Sequence, residues 1–317
     1  MMAMQPVDRR RFLEQAGAAA GLLALGTGIR GRAETRPSGE IHLATNEYPW
    51  SVFYRRDGRD FASSLDTVLG EVARSGIQGY EPLAVSPAHV GTLASLLKKH
   101  GLEMRSLYVN SVLHDAGQAE KSIGQVLAIA GRAKAVGTGI IVTNPSPIRS
   151  GGAVNKTDDQ LRVQAQSLET LGKRLRAVGM KLAYHNHDIE LRAAAREFHH
   201  MMAGTDPEYV TLCLDAHWIY RGAGNSSVAL FDIMKLYGSR VTELHIRQSR
   251  NNIWTEVFGD GDIDYPALVR CLVSIGIKPH LVLEQAVEQG SPRTLDALEA
   301  HRRSCETARQ VFAPFGE

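Results

Sequence analysis

Eight short apolar runs, amphipathic segments between them, and a recurrence of roughly 30–40 residues predict a single-domain (β/α)8 barrel. The runs are Ile41–Thr45, Ile77–Glu81, Glu103–Val109, Gly139–Thr143, Lys181–His185, Val210–Asp215, Val241–Ile246 and His280–Glu284. Many are continuously apolar, as expected of parallel strands covered on both faces. Between them, Leu65-Val68-Leu69-Val72-Ala73 and Val90-Leu93-Leu96-Leu97 repeat at helical spacing along one face. Gly76, Gly101, Gly137 and Gly179 fall just before the next strand, where a left-handed cap ends a helix. Ser86-Pro87 reads as a helix start with proline at the first position. A doubly wound open sheet is the competing architecture, but Thr45-Asn46-Glu47-Tyr48-Pro49-Trp50 after the first strand is no glycine-rich phosphate loop.

Composition narrows the function classes. The 317 residues are 44% hydrophobic and only 6% aromatic, with 30 glycines, a balance that suits α/β better than an all-β sandwich. Of 36 basic residues, six arginines lie in the first 36 positions, which leaves the remainder close to neutral. No basic field is left there to attract a nucleic acid. Cys213, Cys271 and Cys305 are widely spaced and odd in number, so no disulfide framework follows. Cys213 sits in an apolar run and reads as a buried structural thiol.

Residues 1–33 read as an address. Asp8-Arg9-Arg10-Arg11-Phe12-Leu13 precedes a mildly apolar stretch from Ala16 to Ile29, the pattern of a twin-arginine signal cleaved near Ala33. That stretch is too short to span a bilayer, so no membrane anchor is expected once it is removed. A periplasmic protein exported already folded is the expectation, with its metal loaded inside the cell, where availability rather than raw affinity selects the ion.

Chemistry in a parallel barrel sits where the strands end. Here strands five to eight end in Tyr184-His185-Asn186-His187, Leu214-Asp215, Leu244-His245 and Leu283-Glu284. Burying such groups is costly unless they pair or hold a cation. Mixed carboxylate and imidazole donors suit one divalent ion (Mn, Mg, Co or Zn) with positions open to substrate.

Residues 40–312 resemble the xylose-isomerase-like barrels of the sugar phosphate isomerase/epimerase family. The resemblance is carried by Tyr184-His185-Asn186-His187-Asp188-Ile189-Glu190, Leu214-Asp215, Leu244-His245-Ile246-Arg247, Gly259-Asp260-Gly261-Asp262-Ile263-Asp264-Tyr265 and Leu283-Glu284. It implies one divalent metal held by a Glu, an Asp, a His and a second Glu. Asp215, His245 and Glu284 match three of those positions. Strand five ends in His185 instead of a Glu, so Glu190 on the following loop is the candidate fourth ligand, with His187 as its substitute. His185 then reads as a support for the ligands.

Around this set, His187 and His217 are candidates for sugar hydroxyls or proton transfer, or else for orienting the carboxylates. Arg247 stands two residues past His245 on the same face and could hold a substrate oxygen, or form a salt bridge. Trp254 could stack on a sugar and Glu256 bond a hydroxyl, loop packing being the alternative for both. Asn46, Glu47, Glu81 and Asn110 fall where early strands reach the mouth. Asp260, Asp262 and Asp264 superficially suggest a calcium loop, but Tyr265 and Cys271 occupy its glycine and closing-glutamate positions. Asp264 instead reads as a helix N-cap.

The resemblance implies proton abstraction beside a carbonyl on a small-molecule sugar. Glu190 and Glu284 would remove and return the proton across an enediolate, giving epimerisation or isomerisation. A lyase or dehydratase expelling water or a glycosidic group from a 3-keto sugar is the alternative, with His187 or His217 as the acid. A non-catalytic sugar-binding barrel and a metal-dependent nuclease are weaker readings, since the acid set is complete and a basic groove is lacking. Sequence leaves the oligomeric state open, a homo-oligomer included.

Overall fold

The computed structural model describes residues 41–149 and 152–316. The signal expected over residues 1–33 lies outside them. The barrel strands are β1 (Leu43–Asn46), β2 (Gly79–Glu81), β3 (Ser106–Tyr108), β4 (Ile140–Thr143), β5 (Lys181–His185), β6 (Val210–Asp215), β7 (Val241–Ile246) and β10 (His280–Leu283). They pair in parallel in the order β2-β1-β10-β7-β6-β5-β4-β3. Bridges from Gly79 to Glu103 and from Leu83 to Tyr108 close the circle between β2 and β3. Each of the eight expected strands is present, and the third is the most shortened. It pairs there with a segment containing Pro82, whose carbonyl accepts from Tyr108 N at 3.0 Å but which has no N–H to continue the ladder.

Among the described residues ten α-helices surround the strands: α1 (Glu47–Arg56), α2 (Leu65–Arg74), α3 (Pro87–Lys99), α4 (Ala119–Lys134), α5 (Asp158–Ala177), α6 (Arg192–Ala203), α7 (Ala216–Gly222), α8 (Ser227–Tyr237), α9 (Tyr265–Ser274) and α10 (Ala297–Val311). The periodic residues Val68, Leu69 and Val72 of α2 and Val90, Leu93 and Leu97 of α3 are buried against the barrel. Ser86 caps α3, accepting from His89 N at 3.1 Å, and Asp264 caps α9, accepting from Ala267 N at 2.8 Å. All four predicted cap glycines have positive φ.

Two local features were not legible beforehand. The loop after β7 contains a hairpin, β8 (Ser249–Arg250) with β9 (Ile253–Trp254), turned by Asn251 and Asn252 at φ 54° and 64°. Two left-handed residues are what a tight type I′ hairpin needs, and asparagine tolerates them. Asp262 fastens this turn by accepting from Ser249 Oγ at 2.7 Å, Asn251 N at 3.0 Å and Asn252 N at 2.8 Å. Ala193, Ala194 and Ala195 are also left-handed, at φ 51°, 61° and 55°. For a residue with a Cβ that conformation costs about 1–2 kcal/mol, so the first turn of α6, just beyond Glu190, is kinked and strained.

Candidate metal centre

Strand pleating decides which side chains enter the barrel. β6 and β7 pair Asp215 with His245, and β10 pairs Val282 with His245, which places Glu284 one step higher. Ligand atoms of Asp215, His245 and Glu284 lie within 4.8 Å of one another, at the C-terminal ends of their strands. Asp215 and His245 are fully buried and Glu284 nearly so.

The geometry of these three fits a shared cation. His245 Nδ1 lies 2.7 Å from Glu284 Oε2, yet makes no hydrogen bond. Asp215 Oδ1 caps α7 by accepting from Trp218 N at 2.8 Å, while its Oδ2 is buried without a hydrogen-bond partner. Two close donors and an orphaned carboxylate oxygen are what ligands converging on one ion leave behind. The donor set of two carboxylates and an imidazole suits a borderline or hard divalent ion.

Electrostatics within the cluster are uneven. Burial pushes the Asp215 carboxyl up to about 6 despite the attraction of Arg247, whose Nη2 is 3.9 Å from Oδ2. Burial also works against ionised Glu284, but Arg247 and His245 outweigh it and hold that carboxyl far below the usual range. Asn46 Nδ2 donates to Glu284 Oε2 at 2.7 Å and Arg247 Nη2 donates to Oε1, so both oxygens are fixed.

A cavity of about 450 Å³ opens beside the cluster. Its wall includes Glu284, His185, His187, Glu81, Asn46 and Trp218, with Glu47, Tyr48 and Asn110 nearer the early strands. The four mouth residues named from the sequence, Asn46, Glu47, Glu81 and Asn110, all line it. Burial keeps His187 neutral, with its pKa lowered to about 4.

Several expected contributors stand elsewhere. Glu190 is buried on a short turn (Ile189–Leu191), where Oε1 accepts from Asn144 Nδ2 at 3.1 Å and Oε2 from the His187 backbone N–H at 2.6 Å. Both oxygens are thus engaged, and Glu190 is neither in the Asp215 group nor on the cavity wall. Burial raises its pKa to about 7. Glu256 pins two loops together, accepting from Arg56 Nη1 at 2.6 Å and from Thr294 Oγ1 at 2.6 Å, so it is not presented to a sugar. Trp254 is buried against Arg247, whose guanidinium carbon lies 4.3 Å from the Trp254 ring and 5.1 Å from Trp218. Arg247 is therefore enclosed, and of the two roles open to it, a substrate contact or a salt bridge, it takes the salt bridge, to Glu284 and buried. His217 is buried among Trp218, Tyr220 and Trp254, with neither ring nitrogen hydrogen-bonded. Trp218 and Tyr108, which sequence reasoning passed over, do reach the cavity. The residue after a strand-end Asp-Ala-His was a signal for Trp218.

A family model described as a xylose isomerase-like TIM barrel matches residues 69–308, and the chain belongs to that family. An inosose dehydratase from Mesomycoplasma hyopneumoniae is 25% identical over 279 residues, covering 79% of this chain and 89% of the relative. Among solved structures, a sugar phosphate isomerase/epimerase from Parabacteroides distasonis superposes with TM-score 0.66 at 16% identity, covering 90% of this chain and 98% of its own. L-ribulose 3-epimerase gives TM-score 0.65 at 16% identity, with 87% and 95% covered. A xylose isomerase-like barrel from Mycobacterium smegmatis in complex with magnesium gives 0.61 at 16%, with 88% and 98% covered. At these identities the solved structures establish the fold.

Proposed function

We propose that the protein is a divalent-metal-dependent sugar isomerase or epimerase that acts on a ketose or keto-sugar through an enediolate. In the same reading it works in the periplasm after export by the twin-arginine route. The observation that carries this reading is the convergence of Asp215, His245 and Glu284 beside a sugar-sized cavity. The family relatives named as epimerases and as inosose dehydratase support it. Asp215, His245 and Glu284 would hold the ion, whereas Glu190 stands outside their group and off the cavity wall. When bound, such an ion polarises a carbonyl oxygen and stabilises the negative charge that develops there.

The chain's own residues supply the rest. Glu284 stays ionised because Arg247 and His245 hold it so, and its place on the wall lets it accept a proton from a substrate carbon. The proton that Glu284 takes can return to the substrate from Glu284 itself. His187, neutral and on the same wall, can offer its ring N–H as a hydrogen bond to a substrate oxygen. Asn46 and Asn110 offer amides to sugar hydroxyls, and Trp218 offers a flat apolar face. Enclosure of Arg247 by Trp254 and Trp218 keeps water away from the charge pair that fixes Glu284.

Elimination is the second reading, and the position of Glu190 favours it. A two-carboxylate epimerisation through Glu190 and Glu284 would need Glu190 at the cavity, where it is not. One carboxylate and one imidazole are enough to remove a proton and assist a leaving hydroxyl or alkoxide. Incubation with a keto-sugar panel in D2O separates the two. Deuterium uptake with an unchanged carbon skeleton marks isomerisation or epimerisation, loss of water marks a dehydratase, and a split product marks a glycoside lyase. Glu284→Gln should abolish exchange while substrate binding stays measurable. Normal exchange in that variant, or no turnover of any keto-sugar with any divalent ion, would sink the reading.

A further inference from the structure

One layer below the Asp215 group, the barrel interior is polar again, and the proposed reaction makes no use of it. β5 pairs His185 with Cys213, and β6 pairs Cys213 with Glu243, so these side chains stand side by side within the barrel. Barrel interiors are ordinarily filled by apolar residues, as Val142 and Ala183 fill neighbouring positions here. Cys213 Sγ lies 3.6 Å from His185 Nδ1 and 3.6 Å from Glu243 Oε1. Glu243 Oε1 is in turn 3.2 Å from His245 Nε2. Ligand atoms of His185, Cys213 and His245 all lie within 4.8 Å of one another.

These separations have a specific meaning. A tetrahedral zinc ion with ordinary bond lengths to sulfur, nitrogen and oxygen spaces its ligand atoms about 3.3–3.6 Å apart. The three edges Cys213–His185, Cys213–Glu243 and Glu243–His245 fall close to that range, and Glu243 adjoins the His185–Cys213–His245 group through Cys213 and His245. All four residues are buried, His185 being the most exposed at 2%. Glu243 Oε2 borders the cluster in the buried interior, and Glu81 Oε1 lies 3.3 Å from the same His245 Nε2. Several carboxylate oxygens crowded around one imidazole are costly to bury, a cost a cation there would offset. His185 and Glu81 reach the cavity, so an ion has a route in.

We propose that His185, Cys213, Glu243 and His245 form an inner cation site for a thiolate-preferring divalent ion such as Zn2+. Binding releases the Cys213 thiol proton to solvent and leaves sulfur as the ligand. His245 faces both sites, with Nε2 toward Glu243 and Nδ1 toward Glu284. A neutral imidazole has one free lone pair, so an ion held inside takes the only nitrogen of the Asp215 group. Oxygen-seeking Mg2+ or Mn2+ gains nothing from sulfur and is left to the outer donors. This exclusion rests on the metal-dependent reading above, whereas the inner site stands on its own geometry.

The test uses Co2+ as a spectroscopic stand-in for zinc in the full-length protein. A thiolate-to-cobalt charge-transfer band should appear in the near ultraviolet with wild type and with Asp215→Asn, and vanish with Cys213→Ser. Zn2+ should erase the band and Mg2+ should leave it. A band that survives Cys213→Ser, or cobalt uptake by wild type without a band, overturns the proposal, as does a failure to take up cobalt at all. Zinc-edge X-ray absorption of the unmutated protein reads the same bond, a sulfur neighbour at about 2.3 Å, should Cys213→Ser not fold. A band without turnover of any sugar would defeat the functional reading and leave the inner site intact.

Discussion

Replacing Asp215 by Asn should make the metal-free protein more stable while removing its affinity for the metal. The Asp215 carboxyl is fully buried, and burial lifts its pKa from 3.8 to about 6. Because the folded value lies above the ordinary one, the fold prefers the neutral acid. The penalty is absent below pH 3.8, grows as pH rises through 6, and is complete at neutral pH. At about 1.36 kcal/mol per pH unit, the interval corresponds to about 3 kcal/mol of destabilisation. Asparagine keeps an oxygen for the Trp218 N–H, so the α7 cap survives while the charge goes. In a barrel of this size each kcal/mol moves Tm by about 2 °C, so Asp215→Asn should raise Tm in a chelator at pH 7.5 by about 6 °C. The gain should shrink as pH is lowered toward 4. Addition of Mn2+ should raise the wild-type Tm by linkage and leave the variant unmoved. A lower Tm for the chelated variant would show that Asp215 is held by hydrogen bonds the structure does not display. An undiminished metal shift would remove Asp215 from the ligand set.

Other features give independent checks. Ala194 sits at φ 61°, so Ala194→Gly should stabilise the protein by about 1 kcal/mol, against the usual cost of glycine in a helix; a drop in urea midpoint would contradict the strain. A methyl group at Gly261 would run into the Ser249 carbonyl and the Gln248 side chain, so Gly261→Ala should cost about 1–3 kcal/mol. It should also shift tryptophan fluorescence by loosening the hairpin that carries Trp254, and an unchanged spectrum would separate the hairpin from the Arg247 enclosure. His301 is buried in a stack on Trp50, with ring centroids 4.0 Å apart, and burial lowers its pKa from 6.5 to about 4. Its folded value lies below the ordinary one, so its stabilising share is full above pH 6.5 and is lost as pH falls toward 4, about 3 kcal/mol in all. His301→Gln should flatten the urea-measured loss of stability across that window, and an unaltered slope would assign the acid sensitivity to other groups.

The sequence by itself determined the barrel and the gathering of three polar strand-end residues, because both follow from local rules. A strand's side chains alternate with a period of two, so the residue that ends an inward-facing series is known once the strand is known. That placed Asp215, His245 and Glu284 at one end of one barrel, and the same rule put Glu243 and Cys213 beneath them, though their polarity went unused. Only the tertiary structure decided what the loop residues do. Glu190 depends on Asn144 from the fourth unit, Glu256 on Arg56 and Thr294, and Arg247 on Trp218 of α7 and Trp254 of β9. A long side chain on a loop goes where its most favourable partner lies, and those partners are brought within reach only when the barrel closes. Pleating fixes direction before folding is complete, whereas loop pairing is an outcome of it.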